Sequence, residues 1–413
     1  MLRSVKTSDL RGAGRLATEA TLGLTDLVEN LHHNILRVPG PLGPPSLLPT
    51  RGITGLVYRG IRGVTRLVGG SVDALLGQLQ RLLGPDSSAP SAEREGVIAA
   101  LNGVLGDHLV ATANPLATTM RFRSGGQALP LTEAALAAAL PHAGGRIVAL
   151  VHGLCMNDLQ WQRKGHDHGA ALAAGAGFTP VYLHYNTGLH ISRNGAELAR
   201  LLEVLLQAWP VPVTQLAIVG HSMGGLVVRS ACHHAEAAGL GWRQQLRQLV
   251  FLGTPHHGAP LERGGHWLDT ILGASPYTAA YARLGQVRSA GITDLRHGNL
   301  LDADWDGSEH LPRGNDSRTA VPLPQGVACY AMAATLAPEP GGLKSLKGHL
   351  LGDGLVPVAS ALGQHRLVAR RLAFAPENQW LGHGMNHLDL LDSADVATRL
   401  IQWLAPRRVR SSR

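Results

Sequence analysis

The sequence predicts an α/β architecture, with one mostly parallel sheet covered by helices on both faces, a lid or cap insertion, and a helical N-terminal extension. Three observations predict it. Apolar runs alternate with helix-period segments from about residue 140 onward, the order that builds a parallel sheet through crossover helices. Three of those runs, "RIVALVHG", "QLAIVGHS" and "QLVFLGTP", pass directly into glycine-containing turns. The 413 residues are 45% hydrophobic and 16% charged, a globular and not a disordered balance.

Residues 1–92 form the extension. Short helical pieces are broken there by "GPLGPPSLLPT", a loop by its Pro and Gly content. The stretch 53–83 spaces Leu, Ile and Val at helical intervals with arginines among them. Two readings stand for it: packing on the main domain as an ordinary amphipathic helix, or contact with a membrane or lipid surface; its many glycines weaken any isolated helix. "PDSSAPSAERE" marks the boundary.

The main domain is expected over 93–406, with a basic tail at 407–413. "GVIAALNGVLGDHL" reads as a helix, and "LVATANPLATTMRFR" as two strands around an Asn-Pro turn. "RIVALVHG" is an unbroken apolar run, the mark of a buried parallel strand. "PVYLHYN", "QLAIVGHS", "QLVFLGTP" and "GVACYAMAAT" read as further strands, and "RLVARRLAFAP" (366–376) as the last. "GAELARLLEVLLQAW", "GGLVVRSACHHAEAAG" and "ADVATRLIQWL" read as helices. Residues 256–325 are too long for an ordinary connection and are assigned to a lid.

The chemistry centres on "GHSMGG" (220–225), a G-x-S-x-G pattern between an expected strand and an expected helix. A serine on so tight a turn is pushed out at the carboxyl edge of the sheet. The helix N-terminus beneath it favours developing negative charge. Ser222 is therefore the candidate nucleophile. Acyl transfer also needs two N–H donors for the tetrahedral oxyanion. Met223, just after the serine, and Leu154, in the loop after "ALVHG", are the candidates. His152 and Gly153 adjoin the site, with the His152 side chain read as bracing the loop and not as moving protons.

"VHGL", "GHSMGG", "LGTPHHGAP", "GDGLVPVASA" and "NHLDLL" together resemble the lipase/esterase branch of the α/β-hydrolases, similar to triacylglycerol-lipase-like and GPI inositol-deacylase-like domains. The resemblance covers about 95–404. It implies a nucleophile–acid–histidine order along the chain. Asp353 in "GDGLVPVAS" is then the orienting acid; its other reading is an Asp-Gly turn. Asp302, Asp304 and Asp306 fall inside the lid and fit less well. The late motif favours His387 as base over His383, which is assigned to lining the site. His256 and His257 receive no role, and "GHDHG" at 165–169 reads as a polar loop, with metal binding as the other reading.

The expected activity is carboxylic-ester hydrolysis on Ser222, as an esterase or lipase. An acyltransferase with the same triad, or a lipid-surface protein with a hydrolase fold, are the alternatives. Trp267 in the lid is a candidate substrate contact. No cofactor and no metal are expected, since no HExxH or similar ligand set occurs. The net charge of +8 comes without a nucleic-acid-binding signature, so the expected partner is an ester or lipid small molecule. Cys155, Cys232 and Cys329 are too few and too scattered for a disulfide framework, which points to a reducing compartment. With no apolar h-region at the N-terminus and no apolar run of spanning length, a cytoplasmic location is expected, with peripheral membrane contact as the variant.

Overall fold

A computed structural model describes residues 6–35, 62–63, 65–66, 70, 73, 92–259, 289–305, 318–338 and 352–405. Most of the lid (260–288 and 306–317, with Trp267), most of the 53–83 stretch and the 407–413 tail lie outside the described residues. The chain divides into two compact units, Met1–Arg94 with Leu109–Ala117, and Glu95–His108 with Thr118–Arg413.

In the first unit, helix α1 spans Thr7–Ile35. Arg11 and Arg15, four residues apart and so on one helical face, both grip Asp73, at 2.7 and 2.8 Å. Those two hydrogen bonds hold the Asp73 carboxyl well below the usual carboxylate range. Asn114 donates to the Gly12 carbonyl at 3.1 Å. Helix α2, Ala92–Ala111, has its two ends in this unit and Glu95–His108 in the second. Among the described residues, no helix is long and apolar enough to cross a membrane.

The second unit holds an eight-stranded sheet of order β2-β1-β4-β3-β5-β6-β7-β8. Its strands are β1 Arg121–Ser124, β2 Gln127–Ala128, β3 Arg146–Val151, β4 Thr179–His184, β5 Gln215–His221, β6 Leu246–Leu252, β7 Ala328–Thr335 and β8 Gln379–His383. The pairs from β4 through β8 are parallel, and β1 is antiparallel to both neighbours. The helices are α3 Glu133–Ala139, α4 His168–Ala176, α5 Ile191–Gln207, α6 Met223–Ala237, α7 Ala290–His297, α8 Val358–Ala361 and α9 Ala394–Leu404.

The apolar runs become the central strands because both faces are covered. Alternate strand residues point to opposite faces. Val148, Leu150, Val219, Val250 and Met332 meet Leu172 and Ala176 of α4 and Val396, Leu400 and Leu404 of α9. Ile147, Ile218 and Leu249, on the opposite face, are equally buried. Each such side chain contributes about 1.5–3 kcal/mol by leaving water. The chain runs leftward from β3 to β4, then returns past β3 to β5. This reversal sits between β3 and β5, and the crevice outside the carboxyl ends of strands at such a point is where open α/β sheets hold ligands.

Three expectations need correction. Residues 366–376 do not form a strand; they carry only a 3₁₀ turn at Val368–Arg370, with Val368 74% exposed. The last strand is β8, whose edge pairing runs from Ala331↔Gln379 to Thr335↔His383. The segment read as two strands around Asn114 has only β1, because α2 continues to Ala111. "GHDHG" is not all loop: Asp167 caps α4 by accepting from the Ala170 amide, and His168 opens the helix.

Candidate active site

Strand β5 ends at His221 and α6 begins at Met223. Ser222 alone makes the turn, at φ 53° and ψ −125°, a region that side-chain-bearing residues rarely occupy and that costs of order 1–3 kcal/mol. The turn is pinned from both ends. The Ser222 amide donates to the Leu252 carbonyl at 2.8 Å, and Gly225 N donates to the Ser222 carbonyl at 3.1 Å. A Cβ on Gly224 would stand 2.3 Å from the Val151 carbonyl oxygen, so only glycine lets α6 begin against the end of β3.

Asp353 and His387 arrive from the loops after β7 and β8. His387 Nδ1 lies 2.6 Å from Asp353 Oδ2. An ionised carboxylate only accepts, so the ring donates from Nδ1. The other oxygen, Oδ1, accepts from the Leu355 and Val356 amides at 3.0 and 2.8 Å. The His387 amide donates to the Asp353 carbonyl at 3.2 Å, which ties the two loops together. His387 Nε2 is buried and has no partner among the described protein atoms.

A cavity of about 230 Å³ opens beside this pair. Ser222 and His387 both line it, as do Gly153, Leu154, Met156 and Leu391. The structure thus brings Ser222, His387 and Asp353 together, with Leu154 and Gly153 on the same cavity. Met223 follows Ser222 as the first residue of α6, fully buried.

His152 is sealed within the loop after β3. Its Nδ1 donates to the Gly153 carbonyl at 3.0 Å, and its ring stacks on Tyr185 at 4.5 Å. The Tyr185 hydroxyl donates to the His152 carbonyl at 2.8 Å. Burial pushes the imidazole down to about 3, so it is neutral at physiological pH and braces the loop.

His383 stands apart. It ends β8 and lines a different cavity with Trp380 and Gln402, away from Ser222.

The sequence reading missed His221, the variable residue of the G-x-S-x-G pattern. Its ring sits 4.7 Å from the His387 ring, and its Nε2 lies 3.3 Å from the His387 carbonyl. It also missed a buried ionic group around Arg123. Arg123 Nη1 meets Glu95 at 2.8 Å and Asp158 at 3.1 Å, and His184 Nδ1 meets Asp158 at 3.0 Å. Burial opposes the Asp158 charge, but His184 and Arg123 hold its carboxyl below the ordinary carboxylate value. No local spacing announces this group, since its members come from α2, β1, β4 and the loop after β3.

Residues 142–322 match the family model described as a PGAP1-like alpha/beta domain. Among solved structures, the mature Bacillus licheniformis lipase BlEst2 aligns at 19% identity and a TM-score of 0.41, covering 63% of this chain and 92% of that one. Aspergillus fumigatus lipase B aligns at 13% identity and a TM-score of 0.39, covering 67% of this chain and 58% of that one. The Legionella pneumophila phospholipase PlaB, in complex with thio-NAD, aligns at 15% identity and a TM-score of 0.34, covering 52% and 44%. Among curated proteins, none matches the sequence. The family match and the sheet topology agree on an α/β domain.

Proposed function

We propose that this chain is a serine carboxylic-ester hydrolase that works through an acyl-enzyme on Ser222. One observation carries the reading: the buried His387–Asp353 hydrogen bond leaves the unpartnered His387 Nε2 on the same cavity as a serine held on a strained strand-to-helix turn. Nδ1 is engaged as a donor, so Nε2 carries the lone pair needed to take the serine proton.

The chemistry then runs in two halves. Ser222 Oγ gives its proton to His387 Nε2 and bonds to the ester carbonyl carbon. The carbonyl oxygen becomes an oxyanion, stabilised by the Leu154 and Met223 amides and by the positive end of α6. Asp353 steadies the imidazolium. The tetrahedral intermediate collapses, and the Nε2 proton goes to the departing alcohol. Water next gives a proton to Nε2 and attacks the acyl carbon, and the returning proton restores Ser222. Leu154, Met156, Leu388 and Leu391 line the cavity with apolar surface, which suits an acyl group.

The test is hydrolysis of p-nitrophenyl esters from acetyl to palmitoyl by the wild type and Ser222→Ala. Loss of activity in the variant, with fluorophosphonate labelling confined to the wild type, is the expected result. A folded wild type that hydrolyses no chain length and takes no label overturns the reading.

A further inference from the structure

A second cavity, of about 270 Å³, is lined by Arg229, His256, His257, Arg318, Arg370 and Arg371 among others. Among the described residues, no carboxylate lines it. Arg229 projects from α6, seven residues after Ser222, which is about 10 Å along the helix axis at about 1.5 Å per residue. It is 4% exposed, and its Nη2 donates to the Val321 carbonyl. Its Nε and Nη1 are buried without a partner among the described residues.

His256 is equally unsatisfied. It is 2% exposed, and neither ring nitrogen finds a partner among the described residues. Its ring is held against Phe251 and Phe374, at 4.9 and 5.5 Å. His257 Nε2 is also buried and unpartnered. An uncompensated guanidinium in a protein interior is strongly destabilising. Burial, with Arg318 nearby, lowers the Arg229 guanidinium to about 10, and it still carries its charge at neutral pH. Two unpaired guanidinium donors on Arg229 and one N–H on the neutral His256 ring, in a cavity lined by further arginines, call for an acceptor-rich anion.

We propose that this cavity binds a phosphate-type oxyanion, held by Arg229 and by an N–H group of His256, with Arg318 and Arg371 supplying further positive charge. Arginine suits such a ligand because its fork presents parallel N–H donors to two oxygens. The anion arrives either as free phosphate or as a phosphate carried by the ester substrate, whose acyl carbon then sits at Ser222. The second source rests on the hydrolase reading; anion binding itself does not.

Thermal unfolding in increasing inorganic phosphate, against chloride of matched ionic strength, tests the proposal on the full chain. The expected result is a saturable rise of about 2–4 °C in the wild type and in Ser222→Ala, lost in Arg229→Met. Arg229→Met in phosphate-free buffer keeps or gains stability, since it removes an uncompensated charge. If that variant does not fold, Arg318→Ala and Arg371→Ala carry the test, each weakening the phosphate response. No saturable rise, or an equal rise in all three arginine variants, overturns the proposal. Hydrolysis of dibutyryl phosphatidic acid and dibutyryl glycerol then distinguishes the sources. Inorganic phosphate that raises KM for the first substrate alone points to a substrate-borne group, and phosphate that leaves both KM values unchanged points to a free anion.

Discussion

His387 and Asp353 are joined across 2.6 Å, with side chains only 4% and 1% exposed, although 34 residues separate them in the chain. The carboxylate is fully engaged: one oxygen takes the imidazole and the other takes two backbone amides. It therefore does two jobs, closing the Gly352–Val356 turn and setting the tautomer of the ring.

Those two jobs separate in Asp353→Asn. The amide oxygen retains the Leu355 and Val356 bonds, and the –NH₂ group then faces Nδ1. Nδ1 becomes an acceptor, Nε2 carries the proton, and the base is lost. We expect a folded variant with kcat reduced by about 10⁴-fold, the size of effect known for a wrong tautomer in a serine protease. Asp353→Ala also leaves the buried Val356 amide and the part-buried Leu355 amide without their acceptor, at about 1–3 kcal/mol for the buried one. Ester turnover together with urea unfolding checks both variants. A fully active Asp353→Asn removes Asp353 from the proposed mechanism.

His387→Ala and His383→Ala form the second comparison. His387 shares the Ser222 cavity, and His383 lines another. The first substitution is expected to lower kcat/KM by about 10³-fold or more, and the second to leave it within a few-fold. The reverse result means that the late histidine motif has been assigned to the wrong residue.

Gly153→Ala probes the loop that faces the serine. The added methyl would lie 3.0 Å from Ser222 Cβ, 3.2 Å from His221 Nδ1 and 3.4 Å from Met156 Sδ. These are side-chain atoms on a cavity wall, so the fold can yield by a few tenths of an ångström. A displaced Ser222 or Leu154 amide spoils alignment with the carbonyl, which is worth about 10²-fold in rate. The expected signature is a lower kcat with an unfolding midpoint close to wild type. An unchanged kcat shows that this loop does not approach the reacting atoms.

How much of this was legible in the sequence depends on the range of the interaction. Strands β3, β5 and β6 and the elbow at Ser222 were readable because their determinants are local: continuous apolar runs and a glycine-flanked turn. Residues 366–376 misled because "RLVARRLAFAP" alternates like a half-buried strand, whereas Leu367 and Val368 face solvent. β8 was missed because "QWLGH" has little pattern of its own and is a strand through pairing with the edge of β7. The Asp353–His387 contact was reachable only through resemblance, since nothing near either residue indicates the other. The Arg229–His256–His257 group left no signal, because α6 and the loop after β6 meet only in the fold.

The buried histidines set a pH dependence of stability. Burial lowers His152 to about 3, His168 to about 4 and His257 to about 4, and drives His221 and His256 well below the ordinary value of 6.5. These folded-state values lie below the unfolded one, so between about pH 6.5 and 4 the unfolded chain binds more protons. Stability then rises with pH, is complete above about pH 6.5, and is lost progressively as the pH falls through that window. Each histidine that stays neutral contributes a slope of up to about 1.4 kcal/mol per pH unit. The urea midpoint is expected to fall markedly between pH 7.5 and pH 5. His168→Gln isolates one member: His168 Nε2 lies 2.9 Å from the Leu390 carbonyl, and a glutamine amide keeps that donor without titrating. The drop between the two pH values should shrink in the variant by about 1–2 kcal/mol. A midpoint flat from pH 7.5 to 5, or an undiminished drop in His168→Gln, means that these rings are charged or solvated in the folded protein.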